Sequence, residues 1–97
     1  MKKFILLHIG FVPPTEKIMQ EWGSWFQEVG DKFIDAGSHF MFGREIAKDG
    51  SVKELPLGLD SYTGYSIIKA ENMEEAEQIA SSCPSITAIR IYDAGSI

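Results

Sequence analysis

One cysteine, Cys83, stands in the 97 residues, so no internal disulfide can form and a cysteine-type zinc site lacks its ligands. A reducing cytoplasm is the expected setting. Histidine is almost as scarce: His8 and His39 are the whole supply, and no HxH, HExxH or CxxC spacing occurs, so no metal site is expected. Positive charge is in deficit, with 9 Lys plus Arg against 14 Asp plus Glu and a net charge of −5. No basic field gathers phosphates, which argues against nucleic acid and against an anionic membrane surface as partners. No stretch approaches the roughly 20 apolar residues that cross a bilayer. The opening MKKFILLHIGF sets two lysines before an apolar run. That run is short, is broken by His8 and has no small-residue cleavage site, so it reads as a strand rather than a leader. GxSxG, GxGxxG and phosphate-loop patterns are all missing, which leaves serine hydrolase, dinucleotide and nucleoside-triphosphate readings without support. No cofactor is expected.

What is there is ordinary for a globular chain: 44% hydrophobic and 24% charged residues. One domain over 1–97 is all this length holds. A domain of this size buries only about 60–65% of its unfolded surface, so a partner subunit would add usefully to a thin core. Residues 2–12 form a first strand that is apolar on both alternating faces, with Ile5, Leu7 and Ile9 on one and Phe4, Leu6 and His8 on the other. Pro13-Pro14 end it, and Thr15 caps a helix expected over 16–36, whose stripe runs Ile18, Trp22, Trp25, Phe26, Val29, Phe33. Gly23 and Gly30 fall on one side of that helix, each costing about 1 kcal/mol against Ala, and Gly37 closes it in the left-handed region. His39–Ala47 reads as a second strand, 48–51 as a turn and 52–61 as a loop. A third strand follows at 62–70. Asn72 with Glu75 makes a capping box for a helix from about 73, stopped by Cys83-Pro84, and 85–93 is the fourth strand before fraying terminal residues.

Strand, helix, strand, strand, helix, strand is the ferredoxin-like βαββαβ order of an α+β domain, with a four-stranded antiparallel sheet and both helices on one face. The two-faced first and last strands would leave an apolar patch in water on a monomer. Face-to-face pairing into a homodimer is therefore expected.

The run Glu21-Trp22-Gly23-Ser24-Trp25-Phe26, continuing to Ala36-Gly37, resembles the first helix of the YCII-related proteins, in the branch named for a DGPF sequence. Gly64-Tyr65-Ser66-Ile67-Ile68-Lys69-Ala70, then Met73-Glu74-Glu75-Ala76 and Cys83-Pro84, resembles that branch's third strand and second helix. With the MKKFILL start, the resemblance spans nearly the whole chain. It implies a dimeric α/β barrel, a group that includes cofactor-free monooxygenases and lactone isomerases. The DGPF tetrapeptide itself is absent, the loop reading Leu57-Gly58-Leu59-Asp60-Ser61-Tyr62, with Asp60 in place of its acidic residue. Relatives carry a proposed His–Asp dyad. Asp35 matches the Asp, whereas the His position falls near Trp25 or Phe26, so half of the dyad is missing. Members of the branch resemble domains found beside sigma-factor-like proteins, which implies a regulatory role through protein contacts.

The candidate ligand-binding residues are His8, Trp25, His39, Asp60 and Tyr65. If Ile5, Leu7 and Ile9 pack under the helices, His8 looks into the barrel as a general base or ligand donor; otherwise it is a structural histidine in the sheet or dimer seam. His39 opens the second expected strand beside a helix cap. Asp60 could join either histidine in a weak carboxylate–imidazole site. Trp22, Trp25, Phe26, Phe40, Phe42, Tyr62, Tyr65 and Tyr92 suit a pocket for planar apolar molecules, with Trp22, Phe26 and Phe33 as core between helix and sheet the alternative. Tyr65, Tyr92 and Arg44 bring polar ends able to orient a ligand. Cys83 reads as a buried helix-end residue. Two functions follow from these residues: binding or transforming a small organic molecule in a pocket of the paired domain, or acting as a non-catalytic protein-interaction module in transcriptional regulation.

Overall fold

The computed structural model describes residues 1–96. It comprises β1 (Lys2–Ile9), α1 (Glu16–Val29), β2 (Phe33–His39), β3 (Gly43–Ile46), β4 (Val52–Leu55), β5 (Tyr62–Ala70), α2 (Met73–Ser81) and β6 (Ala88–Ser96). Four strands make one antiparallel sheet in the order β2-β5-β1-β6, the arrangement the ferredoxin-like pattern requires, and β3 and β4 form a separate two-stranded arm.

Both helices start where their caps put them. Thr15 Oγ1 accepts from the Ile18 N–H at 3.2 Å, and Asn72 Oδ1 accepts from the Glu75 N–H at 2.9 Å. The end of α1 differs from the expected one. Gly30 adopts φ +54° and stops the helix at Val29, a 3-10 turn covers Gly30–Lys32, and Phe33 already belongs to β2. Phe33 kept the helical phase in the sequence because it fills the same core from the sheet side, 5.4 Å from Trp25 and 5.5 Å from Phe26 between ring centres.

Gly37, expected as a helix cap, lies inside β2 at φ +90°, and a Cβ there would fall 1.6 Å from the Tyr65 carbonyl oxygen. Its positive φ is real, but it serves a bulged strand pressed against β5. The second expected strand is also divided. Residues 33–39 join the sheet, 43–46 turn away, and 52–55, expected as loop, pairs with them in the arm with Arg44 Nε donating to Glu54 at 2.9 Å. The fourth strand starts at Ala88 rather than 85 and continues to Ser96.

The core lies between the sheet and the helices and holds Phe4, Leu6, Trp25, Val29, Ile68 and Ala76 among others. Phe4, Leu6 and His8 thus face the helices, and Ile5 and Leu7 face away, the reverse of the orientation that would have turned His8 toward a barrel interior. Patterning could not choose between two apolar faces. On the open side Ile5 lies opposite Ile67 and Tyr92, and Leu7 opposite Tyr65 and Arg90. The molecule is only 18 Å across its shortest axis, room for one sheet and one helical layer, so no second layer covers that side.

Gly37→Ala is expected to lower stability by about 3 kcal/mol, since it adds both a strained φ and a backbone collision. Urea unfolding checks this; an unchanged midpoint would contradict the β2 geometry.

Candidate functional site

A cleft of about 780 Å³ opens between α1 and the β2 side of the sheet. One wall is a helical stripe, Ile18, Met19, Trp22, Gly23 and Phe26, brought to one face by three- and four-residue spacing. The opposite wall is β2 and its continuation, Ala36 to Met41, while His8, Gly64 and Tyr65 contribute from β1 and β5.

His8 anchors this region. It is 4% exposed, with its imidazole edge-on to Trp22 at 5.0 Å and to Trp25 at 5.8 Å. Nε2 is 3.0 Å from Ser66 Oγ, and Ser66 donates its single hydroxyl proton to the Ala36 carbonyl at 3.0 Å. Ser66 must then accept from Nε2–H, which fixes the tautomer. Nδ1 is left as acceptor, 3.1 Å from Ser85 Oγ, with Cys83 Sγ 3.4 Å from that oxygen and 3.6 Å from Nδ1. Three donors line up in one direction, Ser85 O–H to His8 Nδ1, Nε2–H to Ser66, and Ser66 O–H to the Ala36 carbonyl, with Cys83 Sγ in contact with both Ser85 and Nδ1. Burial pushes the Cys83 thiol up, which keeps its proton in place, and burial lowers His8 to about 4. Among the described residues no buried side-chain polar atom lacks a partner.

A neutral imidazole with both nitrogens committed to protein groups is a structural element, not a free general base. Of the other candidates, His39 lines the cleft with it, and Tyr65 borders the cleft with its ring on the open sheet face beside Leu7. Tyr65 stacks on Phe40 at 6.1 Å and donates to Asp35 Oδ2 at 2.8 Å, and this bond raises its phenol above the ordinary value. Asp35 also accepts from the Gly37 N–H at 2.8 Å, so it braces the β2 bulge.

Trp25 and Asp60 are not brought to the site. Trp25 is 2% exposed in the core, where its Nε1–H donates to the Ile79 carbonyl at 3.1 Å and ties α1 to α2. Asp60 sits exposed in the loop before β5, outside the cleft lining. Sequence reasoning missed Met19 and Gly23 as lining residues, which the helical stripe through Trp22 could have flagged, whereas Phe40, expected among the pocket aromatics, does line the cleft.

Two further features bear on chemistry. Among the described residues no cluster of three or more His, Cys, Asp or Glu side chains could hold a metal. Nor does any described residue lining the cleft carry a formal carboxylate, ammonium or guanidinium charge. No protein-family model matches the chain, and no curated protein matches it. The geometry of the cleft therefore carries the functional argument.

Because the folded His8 binds its proton near pH 4 and the unfolded one near 6.5, the unfolded state takes up the proton first on acidification. His8 thus contributes stability that is complete above pH 6.5 and lost as pH falls toward 4, about 3 kcal/mol over the window. In urea unfolding at pH 7 and pH 4, His8→Gln should lose less stability than wild type by about that amount; equal losses would show that His8 is not held neutral.

Proposed function

We propose that this protein binds a small organic molecule in the cleft between α1 and the β2 side of the sheet, as a homodimer in the cytoplasm. The observation that carries the reading is the lining: Trp22, Phe26, Phe40 and Met19 present apolar surface around about 780 Å³, within the size range of small-molecule sites. Phe26, Phe40 and Met19 are 39, 38 and 59% exposed. Large apolar side chains held open around a concavity make sense where something apolar fills it. Membership of the YCII-related family, which the sequence resembles, is part of the same proposal.

Pairing is supported by the open sheet face. Ile5, Leu7 and Ile67 form a half-buried apolar patch with Tyr65 and Tyr92 at its side, and joining two such faces would make the dimeric α/β barrel. A second reading, the protein-interaction module in transcriptional regulation, is favoured by the β3–β4 arm. Ile46 and Val52 lie opposite each other on it, 73 and 59% exposed, and Phe42 at its base is 68% exposed. A two-stranded ribbon is marginal alone in water and gains from a partner.

Light scattering should report twice the 10.8 kDa chain mass; a single-chain mass would end the barrel proposal. For the cleft, energy transfer from tryptophan to N-phenyl-1-naphthylamine, a neutral aromatic probe, should saturate. Met19→Glu, which places a carboxylate in the helical wall, should weaken it at least tenfold. A wild-type protein that does not bind the probe, or a variant that binds it equally, would contradict the binding reading.

A further inference from the structure

The cleft's polar groups restrict what it can hold, and one residue of α1 shows where the occupant lies. Of the six polar side chains in the lining, the hydroxyls have already given their protons to the protein: Ser38 to the His39 carbonyl at 3.3 Å, Thr63 to the His8 carbonyl at 3.2 Å and Tyr65, whose ring lies on the open sheet face, to Asp35 at 2.8 Å. His8 is engaged at both nitrogens. Among the described lining residues the His39 ring and the Trp22 indole N–H make no hydrogen bond to the protein, and His39 stands exposed. An anion or cation entering the cleft would lose hydration and meet no counter-charge.

Gly23 supplies the second observation. It lies in the middle of α1, where glycine is less favourable than alanine by about 1 kcal/mol. Neither of the usual reasons for a helical glycine applies. Its φ is ordinary, and a Cβ there would meet no atom within 4 Å, so no neighbouring element presses on the helix. Gly30, seven residues on, is explained by its positive φ at the helix end, and Gly37 by its close approach to Tyr65. Gly23 is exposed and opens onto the cleft wall that Met19, Trp22 and Phe26 also line.

We infer that the cleft takes an uncharged aromatic molecule whose ring lies on the α1 backbone at Gly23, beside the contacting rings of Trp22 and Phe26, with its polar group directed to the free ring N–H of Trp22 or to His39. Gly23 is then the specificity-determining residue, because any side chain there occupies the ring's place. This inference rests on the small-molecule reading of the cleft and deepens it.

Two probes that share a skeleton test the charge requirement: N-phenyl-1-naphthylamine and its sulfonated relative 8-anilinonaphthalene-1-sulfonate. The neutral probe should bind at least tenfold more tightly. Gly23→Leu should weaken the neutral probe at least tenfold, whereas Ser24→Leu, next to it but outside the cleft lining, should leave binding unchanged. Gly23→Ala should weaken binding by a smaller factor while raising Tm by roughly 4–8 °C, as expected for a helix position with room for a methyl group. That rise shows that loss of binding is not loss of fold. Equal binding of the two probes, or undiminished binding by both Gly23 variants, would overturn the inference and leave the cleft reading standing. Failure of wild type to bind the neutral probe would overturn both.

Discussion

The imidazole of His8, buried under α1 and kept neutral, is the constraint around which this domain is arranged. A polar ring in the middle of β1 has to be satisfied from both sides, and the chain satisfies it with Ser66 from β5 and Ser85 from the segment before β6. Those bonds join the central strands to the β2 bulge through the Ala36 carbonyl and to the end of α2 through Cys83. Trp22 and Trp25 close over the ring edge-on, so the same residue seats α1 on the sheet. An unsatisfied group in this position would cost about 1–3 kcal/mol, which explains why three small polar residues converge on an otherwise apolar layer.

That arrangement separates stability from chemistry. The most obvious acid–base residue in the chain is spent on structure, and the Asp35 carboxylate braces Gly37 and Tyr65. The cleft beside them is built of carbon surface with its hydroxyl protons turned back into the protein. In the binding reading proposed above, such a site selects by shape and apolar area and against charge. The glycine in the helical wall fits the same proposal, since selection by shape needs a defined empty volume.

The order of elements was legible because local signals agree with the tertiary outcome: Pro13-Pro14 and Thr15 start α1, Asn72 and Glu75 start α2, and apolar runs mark β1 and β5. The region from Gly30 to Leu55 was not. Phe33 holds the helical phase yet belongs to a strand, because helix and sheet fill one core and a residue can serve it from either side. Gly37 has a backbone that reads as a helix cap, and only its contact with the Tyr65 carbonyl reveals a bulge. The orientation of β1 was also hidden, since both of its faces are apolar and burial by the helices takes the one with Phe4, Leu6 and His8. Of the site, His8, His39 and Tyr65 were visible as residue types. Their convergence depended on β2 ending at His39, which no spacing reports.

The central claim, that His8 is a neutral structural ring saturated by serines beside an uncharged cleft, is tested most directly by nitrogen-15 NMR of the His8 imidazole across pH. The account predicts a neutral ring with its proton on Nε2 that does not titrate until pH approaches about 4. A ring that titrates near the ordinary value of about 6.5, or one protonated on Nδ1 when neutral, would contradict it.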